Sequence, residues 1–261
     1  MAHPISGFYV KDGSEYVSVS TILGATSDIF EPEKAKGLEF WRRAEEDWEQ
    51  VLERAQRRGK IIHAEIEGTL LDVGTKGHED EATYEEIVKY NIHEYLFYLA
   101  PILKLIKEQN TKGGKLIDSF TLEGVLFCPQ GYAGTADARF FWDGAYSIWD
   151  WKTVRSYKEY ADEAKGRKVK PKSKYKSAFL QLGAYALAHN IGASNGLFDN
   201  LITQGVICVA YDWREPQLHI LDKKDLRSAV FSFIERFEAY CNMMDMAFPR
   251  PIQEAAEALP A

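Results

Sequence analysis

The chain has 261 residues, 46% of them hydrophobic and 27% charged, with a net charge of −7. That length is enough to bury a core and suits one domain, or one domain with a helical annex. No apolar run approaches membrane-spanning length, the first residues lack the apolar centre of a secretory signal, and the three cysteines fit neither zinc spacing nor a four-thiolate cluster. The expected setting is therefore a reduced cytoplasm, with no membrane association.

Taken in order, Phe8–Val10 and Tyr16–Val19 predict a short hairpin around Asp12-Gly13. Pro32 suits a first helical turn, and Glu33 to about Arg58 is helical in composition until Gly59 interrupts it. A second helix is expected over Ile61–Leu71, with Ile62, Ile66 and Leu70 on one stripe. Gly74–Thr83 reads as a loop and Tyr84–Gln109 as a long helix, bent near Pro101. From Lys115 the pattern changes to strands at Thr121–Cys128, Thr135–Trp142 and Ala145–Trp151. A basic loop follows, then a helix over Tyr175–His189 and strands at Thr203–Trp213 and Gln217–Leu221. Asp222 caps a last helix running to about Met246, and the tail after Phe248 is expected to fray. The expected fold is a single α/β domain: 30–110 mostly helical, 115–246 a central mixed sheet with flanking helices, and 247–261 a flexible tail.

Asp143-Gly144 is a strong signal for a two-residue type I′ turn. With Trp142 facing Ala145, Asp137 faces Asp150, and Lys152 points to the same side as Asp150. Facing carboxylates repel one another, so the pair suggests a bound divalent cation such as magnesium. The competing reading is an exposed cross-strand ion network of Asp137 and Lys152. Directly after this hairpin, between Lys152 and Lys176, ten Lys or Arg stand against three acids. That window is either a solvated loop or a track for nucleic-acid phosphates.

Gly134-x-x-Asp137, followed by Asp150-x-Lys152-Thr153, resembles the PD-(D/E)xK nuclease superfamily. The RecB-type exonuclease branch, which includes phage exonucleases and the mitochondrial genome maintenance exonuclease, is the nearest in pattern. Gly59-x-x-x-His63-x-x-x-Glu67, Gln181-x-x-x-Tyr185 and Ser18-Val19-Ser20-Thr21-Ile22-Leu23 resemble further motifs of that branch and occur in the expected order. The resemblance implies a restriction-endonuclease-like core with an N-terminal helical region. It implies metal ligation by His63, Asp137, Asp150 and the backbone carbonyl of Trp151, with Lys152 catalytic. Magnesium is the implied cofactor, manganese an accepted substitute, and the iron–sulfur cluster of some relatives is not expected with three cysteines. The implied activity is a DNA exonuclease of replication or recombination, acting on single strands or ends in a bacterial or phage-infected cell. A single-strand-annealing or other recombination protein is an expected partner. An endonuclease of the same fold and a catalytically inactive DNA-binding module are the alternatives, and an RNA substrate stays open.

Several residues keep two readings. His63 shares a helix face with Glu67 at the edge of the apolar stripe, and is a ligand or a core histidine. Glu67 holds a second ion or bonds a backbone group, and Glu123 is a further carboxylate near the metal or an edge-strand charge. Gln181 and Tyr185 fix Lys152, touch a phosphate or base, or simply pack. Arg155, Lys168, Lys170, Lys172, Lys174 and Lys176 would track phosphates. Trp149, Trp151, Tyr157, Tyr160 and Tyr175 interleave as stacking platforms or as packing, and the two tryptophans face away from the metal.

Overall fold

The computed structural model describes residues 7–45, 47–75, 121–154, 175–211, 215–249 and 251–257. The expected helix over Tyr84–Gln109 and the basic loop through Lys174 lie outside those residues. The chain opens with a hairpin of β1 (Phe8–Lys11) and β2 (Ser14–Ser18), turning at Asp12 and Gly13 with φ of 50° and 78°. Ser18 ends β2 and caps α1 (Val19–Ala25), its hydroxyl accepting the Thr21 N–H at 3.0 Å. Val19, expected in the strand, therefore opens a helix.

Next come α2 (Ser27–Phe30), α3 (Pro32–Ala44, with Pro32 in its first turn) and α4 (Trp48–Thr75). The predicted interruption at Gly59 does not occur, and the two expected helices are one. The break falls instead between Ala44 and Trp48. A glycine within a helix costs only about 1 kcal/mol against alanine. Full burial of Ile62 and Ile66 just beyond it outweighs that cost.

The sheet strands are β3 (Thr121–Cys128), β4 (Tyr132–Trp142), β5 (Ala145–Val154), β6 (Gln204–Tyr211) and β7 (Gln217–Leu221), together with β1 and β2. The helices α5 (Lys176–Ser194), α6 (Lys223–Met243) and α7 (Pro251–Glu257) complete the described elements. Asp222 caps α6 as expected, accepting the Asp225 N–H at 2.8 Å. The result is a mixed seven-stranded sheet in the order β1-β2-β4-β5-β6-β7, with β3 also on β4. The β2/β4 and β5/β6 pairs are parallel and the rest antiparallel.

The pairing leaves a gap beside β4. β3 lines Tyr132–Arg139, β5 takes Ala138–Trp142, and β2 takes only Tyr132 and Ala133. A strand has two edges and β3 overlaps both other partners, so β2 and β5 share the opposite edge. Gly134 to Asp137 border the space between them. β4 also changes face there. Tyr132 and Ala136 join the larger core with α1, α5, α6 and α7, whereas Ala138, Phe140 and Trp142 join a smaller core under α4 with Ile62, Ile66, Trp149 and Trp151.

α5 lies between the sheet and α6, which explains its apolar character nearly all round. Gly183 permits the close approach: a Cβ there would meet the α6 backbone at 2.7 Å. The expected flexible tail is corrected at α7, where Ile252 and Ala256 are fully buried in the larger core. Alanine-rich composition concealed one short amphipathic helix. Among the described residues, no helix is long and apolar enough to cross a membrane. Cys128, Cys208 and Cys241 are buried free thiols, Cys208 in the smaller core and the others in the larger.

Candidate metal centre

The β4–β5 turn is built as its sequence predicts, with Asp143 and Gly144 at φ 49° and 79°. The register runs from Trp142↔Ala145 to Ala138↔Trp149. It stops one pair short of Asp137 and Asp150, so the expected direct facing of those two carboxylates is corrected. β5 stays paired with β6 out to Val154 but leaves β4 after Trp149. The Asp137 carboxylate reaches across and accepts the Trp151 N–H at 2.6 Å.

Glu123 lies on the other side of Asp137. Leu122↔Ala138 and Gly124↔Ala136 are paired, which brings Glu123 opposite Asp137 without a ladder pair of its own. Its φ of 45° is a strained conformation for a residue with a side chain. α4 supplies His63 from the layer above. His63, Glu123 and Asp137 each offer one ligand atom, all within 4.8 Å of one another, and this group can hold a metal ion.

The histidine tautomer follows from its partner. His63 Nε2 lies 2.9 Å from the Trp151 carbonyl oxygen, which can only accept, so Nε2 carries the hydrogen. In the neutral ring Nδ1 then keeps its lone pair, 3.6 Å from Asp137 Oδ2. Burial holds His63 below its ordinary pKa and so favours that neutral form. A lone pair facing a carboxylate oxygen is relieved by a cation between them.

Asp150 and Lys152 form the second half of the site. Lys152 Nζ donates to Asp150 Oδ1 at 2.8 Å. Asp150 is 3% exposed, and its Oδ2 is buried with no hydrogen-bond partner among the described residues. Burial pulls the Lys152 ammonium down, but the charges of Asp150 and Asp137 outweigh it and hold the group above its ordinary pKa. Burial raises Asp137, and the Asp150 charge adds to this against Lys152 and the Trp151 N–H. Burial and the Asp137 charge lift Glu123 to about 7. Three carboxylates and one ammonium thus share a small volume, an arrangement short of positive charge.

Part of the expected ligand set falls in this group of three. His63 and Asp137 are in the group, and Glu123, which had two readings, joins them. Asp150 lies outside the group of three, held by Lys152. The Trp151 carbonyl accepts from His63 Nε2, which uses one of its two lone pairs. Glu67, one turn beyond His63, is also outside, although its charge acts on Glu123. Gln181 and Tyr185 bond one another at 2.7 Å rather than Lys152.

Trp149 and Trp151 are packed in the smaller core, and Tyr175 is buried with its ring 5.2 Å from that of His219. None of the three presents a free stacking face. Arg155, Tyr157, Tyr160, Lys168, Lys170, Lys172 and Lys174 lie outside the described residues, while Lys176 is exposed at the start of α5.

The place of Glu123 was open to the same reasoning that placed Asp137. The three-residue turn Pro129–Gly131, with Gly131 at φ 104°, sets Cys128 opposite Tyr132. Counting back from that pair brings Glu123 opposite Asp137.

No family model matches the chain, and no curated protein matches it. Among solved structures, that of SSO0001 is similar over 70% of this chain and 86% of its own, at 15% identity and a TM-score of 0.28. A likeness at that level carries no argument about fold or function.

Proposed function

We propose that the chain is a metal-dependent nuclease with a restriction-endonuclease-like core, of the PD-(D/E)xK kind, acting as an exonuclease on single-stranded DNA or DNA ends. The observation that carries this reading is the His63–Glu123–Asp137 group beside the Asp150–Lys152 pair. The donor set fits a divalent ion: one imidazole lone pair and clustered carboxylate oxygens, with a buried Asp150 Oδ2 that has no hydrogen-bond partner among the described residues. Oxygen ligands suit magnesium, and the added nitrogen suits manganese. A bound ion of this kind polarises a phosphodiester and lowers the pKa of an attacking water.

The chain's own residues supply the rest. Asp137 is aimed by the Trp151 N–H, and His63 by the Trp151 carbonyl, so the backbone of one residue of β5 orients groups from β4 and α4. Asp150 fixes Lys152 with one hydrogen bond and leaves the ammonium two more hydrogens. Lys152 can offer those to the attacking water or to a phosphate oxygen as charge develops. The basic residues that follow β5, Arg155 to Lys176, would neutralise phosphates leading to this point.

The test is digestion of end-labelled linear and circular DNA, single- and double-stranded, with magnesium, manganese or EDTA. Release of nucleotides from linear single strands or ends, with circles spared and EDTA abolishing it, is the expected result. Cutting of circles would replace the exonuclease by an endonuclease. No cleavage of any substrate in any metal would remove the nuclease reading.

A further inference from the structure

β3 and β4 change faces at the same pair of residues. On β3, Leu126 and Cys128 lie in the larger core, whereas Leu122, an even number of residues away, packs against the smaller one. On β4 the change falls between Ala136 and Ala138. Leu122 is paired with Ala138 and Gly124 with Ala136, so both strands turn over at Glu123 and Asp137. Side chains alternate along a regular strand, so a turnover needs backbone that leaves the extended conformation. Glu123 supplies it, at φ 45°. That conformation is unfavourable for a residue with a side chain and persists only where the surroundings hold it.

Arg139 abuts this point from the other face of the sheet. It lies two residues beyond Asp137, and its side chain runs toward α5 rather than toward α4 and His63. Its Nη1 donates to His189 Nδ1 at 2.7 Å, and His189 Nε2 donates to the Asn200 carbonyl at 2.8 Å. The Phe198 ring centre is 5.0 Å from the guanidinium carbon, and that ring stacks on His189 at 4.2 Å. The free end of the guanidinium fills the place of the side chain that Gly124 lacks. A Cβ on Gly124 would meet Nη2 at 2.7 Å and Cζ at 3.5 Å. A clamped planar group is thus pressed against the backbone next to Glu123.

Stability does not account for an arginine here. Arg139 is 4% exposed, its Nε is buried without a hydrogen-bond partner, and no carboxylate among the described residues pairs with it. A buried cation of this kind costs stability that an apolar side chain of similar size would not. What the guanidinium offers instead is a rigid planar end, fixed on one side by His189 and bearing on Gly124 with the other.

We propose that Arg139 is a positioning residue for the metal centre. Held by His189 and Phe198, its guanidinium braces Gly124 from the far face of the sheet and keeps Glu123 in the left-handed conformation that turns its carboxylate toward His63 and Asp137. This inference rests on the metal-ion part of the proposed function.

The experiment is a calorimetric Mn2+ titration, without DNA, of wild type, Arg139→Met, Glu123→Gln and the double variant. Arg139→Met keeps a long side chain but loses the planar end and the bond to His189. Loss of a group that orients a metal ligand predicts an affinity weaker by roughly 10- to 100-fold. In the Glu123→Gln background the same substitution should change affinity by no more than about threefold, because both changes act through one carboxylate. A merely structural arginine would cost the same in both backgrounds. Should Arg139→Met fail to fold, Arg139→Gln takes its place in the same cycle. Unchanged affinity in the Arg139 variant, or equal losses with and without the Glu123 carboxylate, would overturn the positioning role while leaving the metal centre intact. A wild type that binds no Mn2+ would remove the metal centre, and this inference with it.

Discussion

The Asp137 carboxylate accepts the backbone N–H of Trp151 at 2.6 Å, at the point where β4 and β5 stop pairing. A side chain thus takes the place of a strand partner. The carbonyl of the same residue accepts from His63 Nε2. The candidate site is therefore built on a break in the sheet, where side chains rather than ladder bonds set the geometry.

Metal affinity should follow from that geometry. Asp137→Asn keeps an oxygen for the Trp151 N–H but removes the charge. Removing an outer partner of a metal site already costs about 10–100-fold in affinity, so loss of this carboxylate should cost at least that. Glu123→Gln should weaken binding in the same direction, and Asp222→Asn, a helix cap far along the chain, should not. Calorimetric Mn2+ titrations check this, and a Glu123→Gln variant with unchanged affinity would remove Glu123 from the ligand set.

The metal-free protein should lose stability as pH rises. Glu123 is raised from an ordinary carboxyl value to about 7 by burial and by Asp137. A carboxyl whose folded-state pKa lies above its unfolded value holds its proton longer when folded, so its cost begins above about pH 4.5 and is complete above about pH 7. Asp137 is shifted in the same direction. Melting temperatures in EDTA should therefore fall by several degrees between pH 5 and pH 8, and less so for Glu123→Gln. Added manganese should restore the loss at pH 8. A melting temperature independent of pH in EDTA would show that the carboxylates are not crowded.

Much of this was legible in the sequence, and the limits have physical causes. Asp143-Gly144 needs positive φ at both positions, so the turn type and register could be counted outward from it. Asp222 and Pro32 announced their helices by local chemistry. What failed was whatever depends on distant packing. Gly59 reads as a breaker, yet the burial of Ile62 and Ile66 under the sheet carries α4 through it. Asp137 leaves the ladder because β5 follows β6, a partner more than fifty residues away in sequence. The pairing rule for one hairpin contains no knowledge of that third strand. Tyr185 showed its spacing from Gln181 but not its contact with Gly134, which needs the relative placement of α5 and β4.

Lys152 should be separable from folding and from binding. Lys152→Ala removes transition-state charge stabilisation worth ~3–4 kcal/mol, a rate loss of hundreds-fold or more. It also leaves the buried Asp150 without its ammonium partner, so the metal-free variant should melt lower than wild type at neutral pH. DNA binding measured in calcium should persist. Near-normal turnover in a folded Lys152→Ala variant would assign the chemistry to another group.

The basic segment makes a prediction about salt. If Lys168, Lys170 and Lys172 neutralise phosphates, log affinity for single strands should fall with log salt at about −0.7 per contact. Their replacement by alanine should weaken binding at low salt and make the slope shallower, with Mn2+ affinity untouched. Identical slopes for wild type and the triple variant would leave the segment a solubilising one and move the strand's path elsewhere.

The central claim is that a divalent ion held by His63, Glu123 and Asp137 makes this chain a nuclease. The most direct measurement is hydrolysis of end-labelled single-stranded DNA by wild type and Asp137→Asn, purified side by side, in manganese and in EDTA. The account predicts nucleotide release by wild type in manganese only, and little or none by the variant. Equal cleavage by both proteins, or wild-type cleavage that persists in EDTA, would contradict it.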